Sequence, residues 1–265
     1  MKNIFYTSLM FVLMGGLLAI TPAVQAEEEA FEVIAVKHSG WASRLNQDVK
    51  QTVKEGSLLY AGDILEVKHG NYVQLALDKE YKNIVHIAGN SVVKLERKDG
   101  VNIELNNGKV FAMLDNWDVR ESFAISTPTA VSAVRGTYYM VNTNGLVTET
   151  TLYKGSVQMI SRFANGSNSQ NSVFLEPGQK SQIADFGASP QSPALITQSE
   201  FESINDIVKT LPDGRPVLNF QEILEAHEQI KNGDSDAKGP LAKNGKKDKK
   251  DRDGKVTFDN GNVVF

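Results

Sequence analysis

An all-β fold, rolled or solenoid-like, is the class this sequence predicts for residues 31–185, with a jelly-roll sandwich as the alternative. Three observations predict it. From Phe31 to about Ala184 the apolar residues recur with period two: Val73, Leu75 and Leu77, then Val101, Ile103 and Leu105, then Phe123 and Ile125. Such alternation puts the apolar set on one face of a pleated sheet and polar residues on the other. Turn chemistry separates the runs at Lys68-His69-Gly70-Asn71, Lys98-Asp99-Gly100, Asn106-Asn107-Gly108 and Thr143-Asn144-Gly145, where Asn and Asp tolerate left-handed backbone and Gly adopts it freely. An internal echo joins them, Leu105-x-x-Gly108-x-Val110, Leu152-x-x-Gly155-x-Val157 and Leu175-x-x-Gly178, but its spacing is too irregular for a true repeat protein.

Before the β region, Lys2, an apolar run from Ile4 to Ile20, Thr21-Pro22 and Val24-Gln25-Ala26 follow the order of a secretory signal, so residues 1–26 are expected to be cleaved after Ala26. The run is shorter than the ~20 apolar residues of a membrane span, and Gly15-Gly16 interrupts it. Within the β region, residues 163–172 are polar and rich in Asn and Ser around Gly166, and are read as a loop. After Pro193 the period changes. Thr197 with Glu200 forms a capping-box pair ahead of Phe201, Ile204, Val208 and Leu211, and Asn219 caps a second helix that stops at Gly233. This helical appendage, 195–232, is too short to stand alone and must dock on the β domain or a partner. Residues 233–265 are a charged linker, expected to be disordered, that ends in the strand-like residues Val256-Thr257-Phe258 and Val263-Val264-Phe265.

Composition excludes several chemistries. There is no cysteine, hence no disulfide, thiol nucleophile, thiolate metal site or lipid-modified cysteine. The formal charge is −4, and loss of Lys2 with the leader makes it −5, a balance that argues against nucleic-acid binding.

The segment Thr127-Pro128-Thr129-Ala130 followed by Val134-Arg135-Gly136-Thr137-Tyr138 resembles the signature of the FecR domain. The resemblance extends to Gly56-Ser57-Leu58-Leu59-Tyr60-Ala61-Gly62-Asp63 upstream and Leu152-Tyr153-Lys154-Gly155-Ser156-Val157 downstream. It implies a periplasmic sensing module of the kind that contacts an outer-membrane transporter and relays its state to a sigma factor. This chain has a leader where those regulators have a cytoplasmic domain and a membrane span, so only the β module can carry over. Its structural signature is Thr127, Pro128, Arg135, Gly136 and Thr137. Arg135, flanked by Ala133, Val134 and Tyr139, is expected to bond carbonyls inside the domain rather than bind an external anion.

Catalytic constellations are absent from the sequence. His38, His69, His86 and His227 are scattered, no nucleophile elbow, phosphate loop or zinc-protease motif occurs, and Asp78 with Glu80 sits in a charged turn. Asp248, Asp251, Asp253 and Gly254 resemble a calcium loop, but that register puts Lys249 at the first ligand position, and a solvated linker is the expected reading. The sequence therefore predicts an exported, periplasmic or extracellular, non-catalytic binding or scaffolding module without a cofactor. Its expected partner is an envelope protein or a cell-wall component. The alternatives are an assembly component whose C-terminal strand contacts a partner through Val263 and Phe265, and a hydrolase with carboxylates assembled only in three dimensions.

Overall fold

Period-two alternation emerges as pleated strands in the computed structural model, which describes residues 30–232 apart from 39–41, 47, 48, 98, 99, 116, 118–121, 135 and 212–217. The leader, Arg135 and the tail with Val263 and Phe265 lie outside the described residues. In chain order the strands are β1 (Phe31–Val36), β2 (Ala42–Asn46), β3 (Val49–Thr52), β4 (Leu58–Leu59), β5 (Ile64–Val67), β6 (Tyr72–Ala76), β7 (Asn83–Ala88), β8 (Ser91–Arg97) and β9 (Gly100–Leu114). They continue as β10 (Ser122–Ser126), β11 (Ala130–Val134), β12 (Tyr138–Thr143), β13 (Thr148–Lys154), β14 (Val157–Arg162), β15 (Asn168–Leu175), β16 (Gln179–Ile183) and β17 (Ala194–Leu195), followed by helices α1 (Gln198–Val208) and α2 (Phe220–Lys231).

Pairing sorts the strands into two layers. The covered layer runs β4-β1-β6-β7-β9-β12-β13-β16-β17. The open layer runs β3-β2-β5-β8-β9-β10-β11-β14-β15. Both contain β9, so the layers are one sheet folded over along that strand, with edges left unclosed. The β9–β10 pair is parallel, Ser122 beside Gly100, whereas the other pairs are antiparallel. From β10 onward the chain makes two strands in the open layer, two in the covered layer, two in the open and two in the covered, a winding of hairpins that matches the rolled expectation.

The three echoes of the Leu-x-x-Gly grammar fall where the chain changes layer. Leu105 pairs in the open layer and Val110 in the covered one; Leu152 and Val157 reverse that step, and Leu175 with Gln179 repeats it. Asn106-Asn107-Gly108, expected as a turn, is therefore the corner of one continuous strand. Its tertiary contact explains the choice: Gly108 has φ 106°, and a Cβ there would lie 2.2 Å from Ser91 Oγ, so only glycine lets β9 bend so close to β8.

The core between the layers draws on both: Leu65, Val93, Leu95 and Ile103 from one, Leu75, Val85, Ala112 and Tyr139 from the other. A second core lies outside the covered layer. Ile84, Phe111, Met113, Tyr138, Met140 and Tyr153 pack under Ile196 and under Phe201, Ile204, Val208 and Ile223 of the two helices. The capping box at Thr197 and Glu200 forms as expected, and the Asn219 side chain accepts from Gln221 N. No helix among the described residues is long and apolar enough to cross a membrane.

The polar run 163–172 divides into a tight turn and the first half of β15, not one loop. The turn is fixed locally. Ser167 N donates to Asn165 Oδ1 at 3.0 Å, Gly166 N to Phe163 O at 2.9 Å, and Gly166 takes φ 83°.

Candidate functional site

Because hairpins alternate direction, their turns collect at two ends of the rolled sheet. One end gathers the β9 corner and the turns 127–129, 143–147, 163–167 and 184–188. The other gathers Gly136-Thr137, Gly155-Ser156 and Pro177-Gly178. The sequence signature is split between them. Thr127 and Pro128 sit at the first end and Gly136 and Thr137 at the second, separated by β11, roughly 17 Å of strand. They do not line one pocket.

At the second end, Gly136 has φ 60°, a backbone conformation that disfavours any side chain. Thr137 is buried, and its hydroxyl donates to Ser156 O at 3.1 Å. A Cβ on Gly155 would come within 2.6 Å of Gly136 O, so the central signature segment and the downstream one meet backbone to backbone.

At the first end the threonines form a buried hydroxyl network that ties the layers together. Thr148 Oγ1 of the covered layer lies 2.7 Å from Thr127 Oγ1, 2.9 Å from Thr129 Oγ1 and 3.1 Å from Thr143 Oγ1. Thr127 Oγ1 also accepts from Ala130 N at 2.9 Å. One step inward, Ser132 and Thr150 share a hydrogen bond of 2.7 Å, and Tyr139 donates its hydroxyl to Ser132 O at 3.2 Å. Burial holds the Tyr139 phenol well above its usual range, so it stays a neutral donor. Hydroxyls suit this position because each both donates and accepts, which satisfies turn backbone without a charge.

Arg162 completes the frame. Its Nη1 donates to Thr127 O at 2.8 Å, and its Nε and Nη2 donate to Gly166 O at 3.2 and 2.9 Å. It thus bonds carbonyls at the first end in the way that sequence reasoning assigns to Arg135 at the second. Sequence reasoning missed Arg162, although its place ahead of the Asn165-Gly166 turn is the available signal. Pro128 is half-buried at this end.

Around that frame three large apolar side chains face solvent: Leu146 at 46%, Phe163 at 47% and Phe186 at 39% exposure. The Phe163 ring lies over Gly187, where a Cβ would meet it at 2.9 Å, and Gly187 N donates to Arg162 O at 2.7 Å. The Leu146 turn and the Phe186 turn leave strands paired through Thr148 and Ile183. The result is an apolar crown on polar-locked turns. Among the described residues no group of three or more His, Asp or Glu could hold a metal ion. An apolar, aromatic surface of this kind suits contact with another macromolecule.

Two histidines that look ordinary in the sequence are buried. His86 lies beneath the end of α1 beside Gln74, whose Nε2 is 3.3 Å from His86 Nδ1 and donates to Thr210 Oγ1 at 2.9 Å. Burial lowers the His86 pKa from the usual 6.5 to about 4. His227, in α2, packs inward with Nδ1 3.4 Å from Glu176 Oε2.

Residues 63–158, from the buried Asp63 to the second residue of β14, match the FecR protein family model. Two crystal structures of a protein described as a candidate anti-sigma factor from Parabacteroides distasonis ATCC 8503 are similar at 14% identity and a TM-score of 0.43. The alignment covers 64% of this chain and 92% or 91% of theirs. No curated protein matches. Across residues 63–158, then, this chain is similar to the FecR protein family.

Proposed function

We propose that the chain is an exported, non-catalytic FecR-type binding module of the bacterial envelope, one that senses or scaffolds by holding a protein partner. The observation that carries this reading is the crown of Leu146, Phe163 and Phe186, exposed on turns held by the Thr148 network and Arg162. Aromatic and aliphatic anchors presented on a fixed frame are what protein interfaces concentrate their binding energy in. Export rests on the leader pattern of residues 1–26, and places the module in the periplasm or outside the cell. Thr127, Pro128, Arg135, Gly136 and Thr137 then act as the scaffold of the module and not as its contact surface.

The experiment is capture from envelope extract by the mature protein and by a Leu146→Ser/Phe186→Ser variant. The expected result is a variant with an unchanged melting temperature that recovers the wild-type partner at least tenfold less well. Equal recovery would remove the crown from the proposal. Arg135→Ala separates scaffold from contact: it is expected to lower stability by several kcal/mol, on the order of a broken buried charged network. An unchanged melting temperature with lost capture would instead make Arg135 a contact residue.

A further inference from the structure

The sheet edges are not equally guarded. The covered layer ends on β4 and β17, each only two residues long. The open layer ends on β3, where Lys50 reaches Glu66 at 2.6 Å, and on β15. Short length and edge lysines are devices that stop a strand from recruiting another. β15 has neither. It runs for eight residues, Asn-Ser-Gln-Asn-Ser-Val-Phe-Leu, with no charge and no proline, and among the described residues it pairs with β14 alone. Asn171 is anchored, its N donating to Ser169 Oγ and its Nδ2 to Gly187 O. Beyond it Ser172 is exposed, and Phe174 is 45% exposed.

The path of the chain points to what fills this edge. Glu176, the residue directly after β15, faces His227 of α2, and α2 ends one turn later at Lys231. From there residues 233–255 supply a Lys-, Asp- and Gly-rich stretch with almost nothing to bury, whose coil reach is roughly 25 Å. An eight-residue strand is about 27 Å long, so residues following that stretch can lie anywhere along β15. Those residues are Val256-Thr257-Phe258 and Val263-Val264-Phe265, the β-branched and aromatic types that strands favour.

We propose that the free edge of β15 is the docking site of this chain's own C-terminal segment, Val256–Phe265, which adds to the open layer as a further strand. Main-chain hydrogen bonds hold it, and Val263 and Phe265 supply the apolar contacts toward Phe174 and its neighbours. Tethering raises the effective concentration of the segment at its own edge into the millimolar range, which favours it over a second copy or a foreign strand. The tail is then a cap on this edge, independent of the crown at the turns.

The test uses the full mature chain. Amide hydrogen exchange across residues 170–174 is compared between the wild type and Val263→Asp/Phe265→Asp, which keeps chain length while opposing insertion. The wild type is expected to exchange about tenfold more slowly there, with no difference in β7 or β9. Because the native chain lacks cysteine, a Ser172→Cys/Val263→Cys variant carries the only two thiols, and a short bismaleimide should link them within one monomer. Equal exchange in both proteins overturns the proposal. Cross-linking that yields dimers and no internally linked monomer also overturns it, and assigns the edge to a second copy. Neither result bears on the crown, whose variants leave the tail intact.

Discussion

The outward face of the covered layer and that of β8 and the first half of β9 in the open layer follow opposite rules; β10 and β11, buried at four consecutive positions each, lie outside the contrast. On the covered layer, outward residues such as Phe111, Met113, Tyr138 and Tyr153 are apolar or aromatic and lie buried under the helices. On the open layer, the outward residues of β8 and β9 are Lys94, Glu96, Asn102 and Glu104, joined by Lys94 Nζ to Glu96 Oε1 at 2.7 Å and Asn102 Nδ2 to Glu96 Oε2 at 2.9 Å. The difference shows in the burial of the strands themselves. β8 alternates buried and half-exposed residues, as a sheet with one solvated face must, whereas β7 is buried at five consecutive positions. A strand buried on both faces asks for a cover. The amphipathic pair after Pro193 is that cover, which is why two helices follow a β domain.

If this contrast is right, the largest effect comes from removing the cover. Phe201 is buried against the covered layer, with its ring centroid 5.3 Å from that of Phe220. Phe201→Ala should destabilise the protein by about 3–5 kcal/mol, the usual cost of truncating a buried phenylalanine, read from the urea midpoint. A loss under about 1 kcal/mol would mean that the helices are an appendage and not part of the core.

His86 sharpens the same contrast through pH. Its folded pKa of about 4 lies below the usual 6.5 because burial under α1 disfavours the imidazolium. The unfolded chain therefore binds a proton between those values that the native fold refuses. The His86 contribution is fully present above pH 6.5 and is lost as pH falls toward 4, a change of about 3 kcal/mol. Urea unfolding of the wild type and His86→Phe at pH 7 and pH 4.5 should show the smaller loss in the variant; equal losses would mean that His86 does not stay neutral under the helix.

Between the layers, the hydroxyl network should contribute less than the cover does. Thr148→Val keeps the side-chain shape but leaves Thr127, Thr129 and Thr143 without their common partner. A cost of about 1–3 kcal/mol is expected from stranding buried hydroxyls, measured by the same denaturant midpoint. A neutral result would show that the three threonines satisfy one another, and that the family signature at this end is held by Arg162 alone.

Much of this architecture was legible in the sequence, for a physical reason that also marks its limit. Local rules leave local traces: alternation in the first half of β9, the Thr197 capping box, and left-handed glycines at the layer changes can each be read within a few residues. Tertiary choices leave none. Asn106-Asn107-Gly108 has the composition of a hairpin turn, and only Ser91 packed against Gly108 makes it a corner within β9. Residues 163–172 look like a loop because their polarity hides that β14 supplies a strand partner. The burial of His86 and His227 depends on helices docking from elsewhere in the chain. The crown is the clearest case: Leu146, Phe163 and Phe186 are isolated apolar residues in the sequence and come to the same end only because alternate hairpins turn there.

The smallest expected effect tests the other side of the comparison. Lys94 bridges Glu96 at 2.7 Å and Glu104 at 3.8 Å on the open face, with these side chains about one-third to two-fifths exposed. Pairs of this exposure gain little, because water screens the attraction and ordering two long side chains costs entropy. Lys94→Ala should therefore change stability by no more than about 0.5 kcal/mol, with a midpoint that barely moves between low salt and high salt. A loss of 2 kcal/mol or more would mean that the open face is not a solvated surface but the counterpart of the covered one, with a charge network doing there what the helices do on the opposite side.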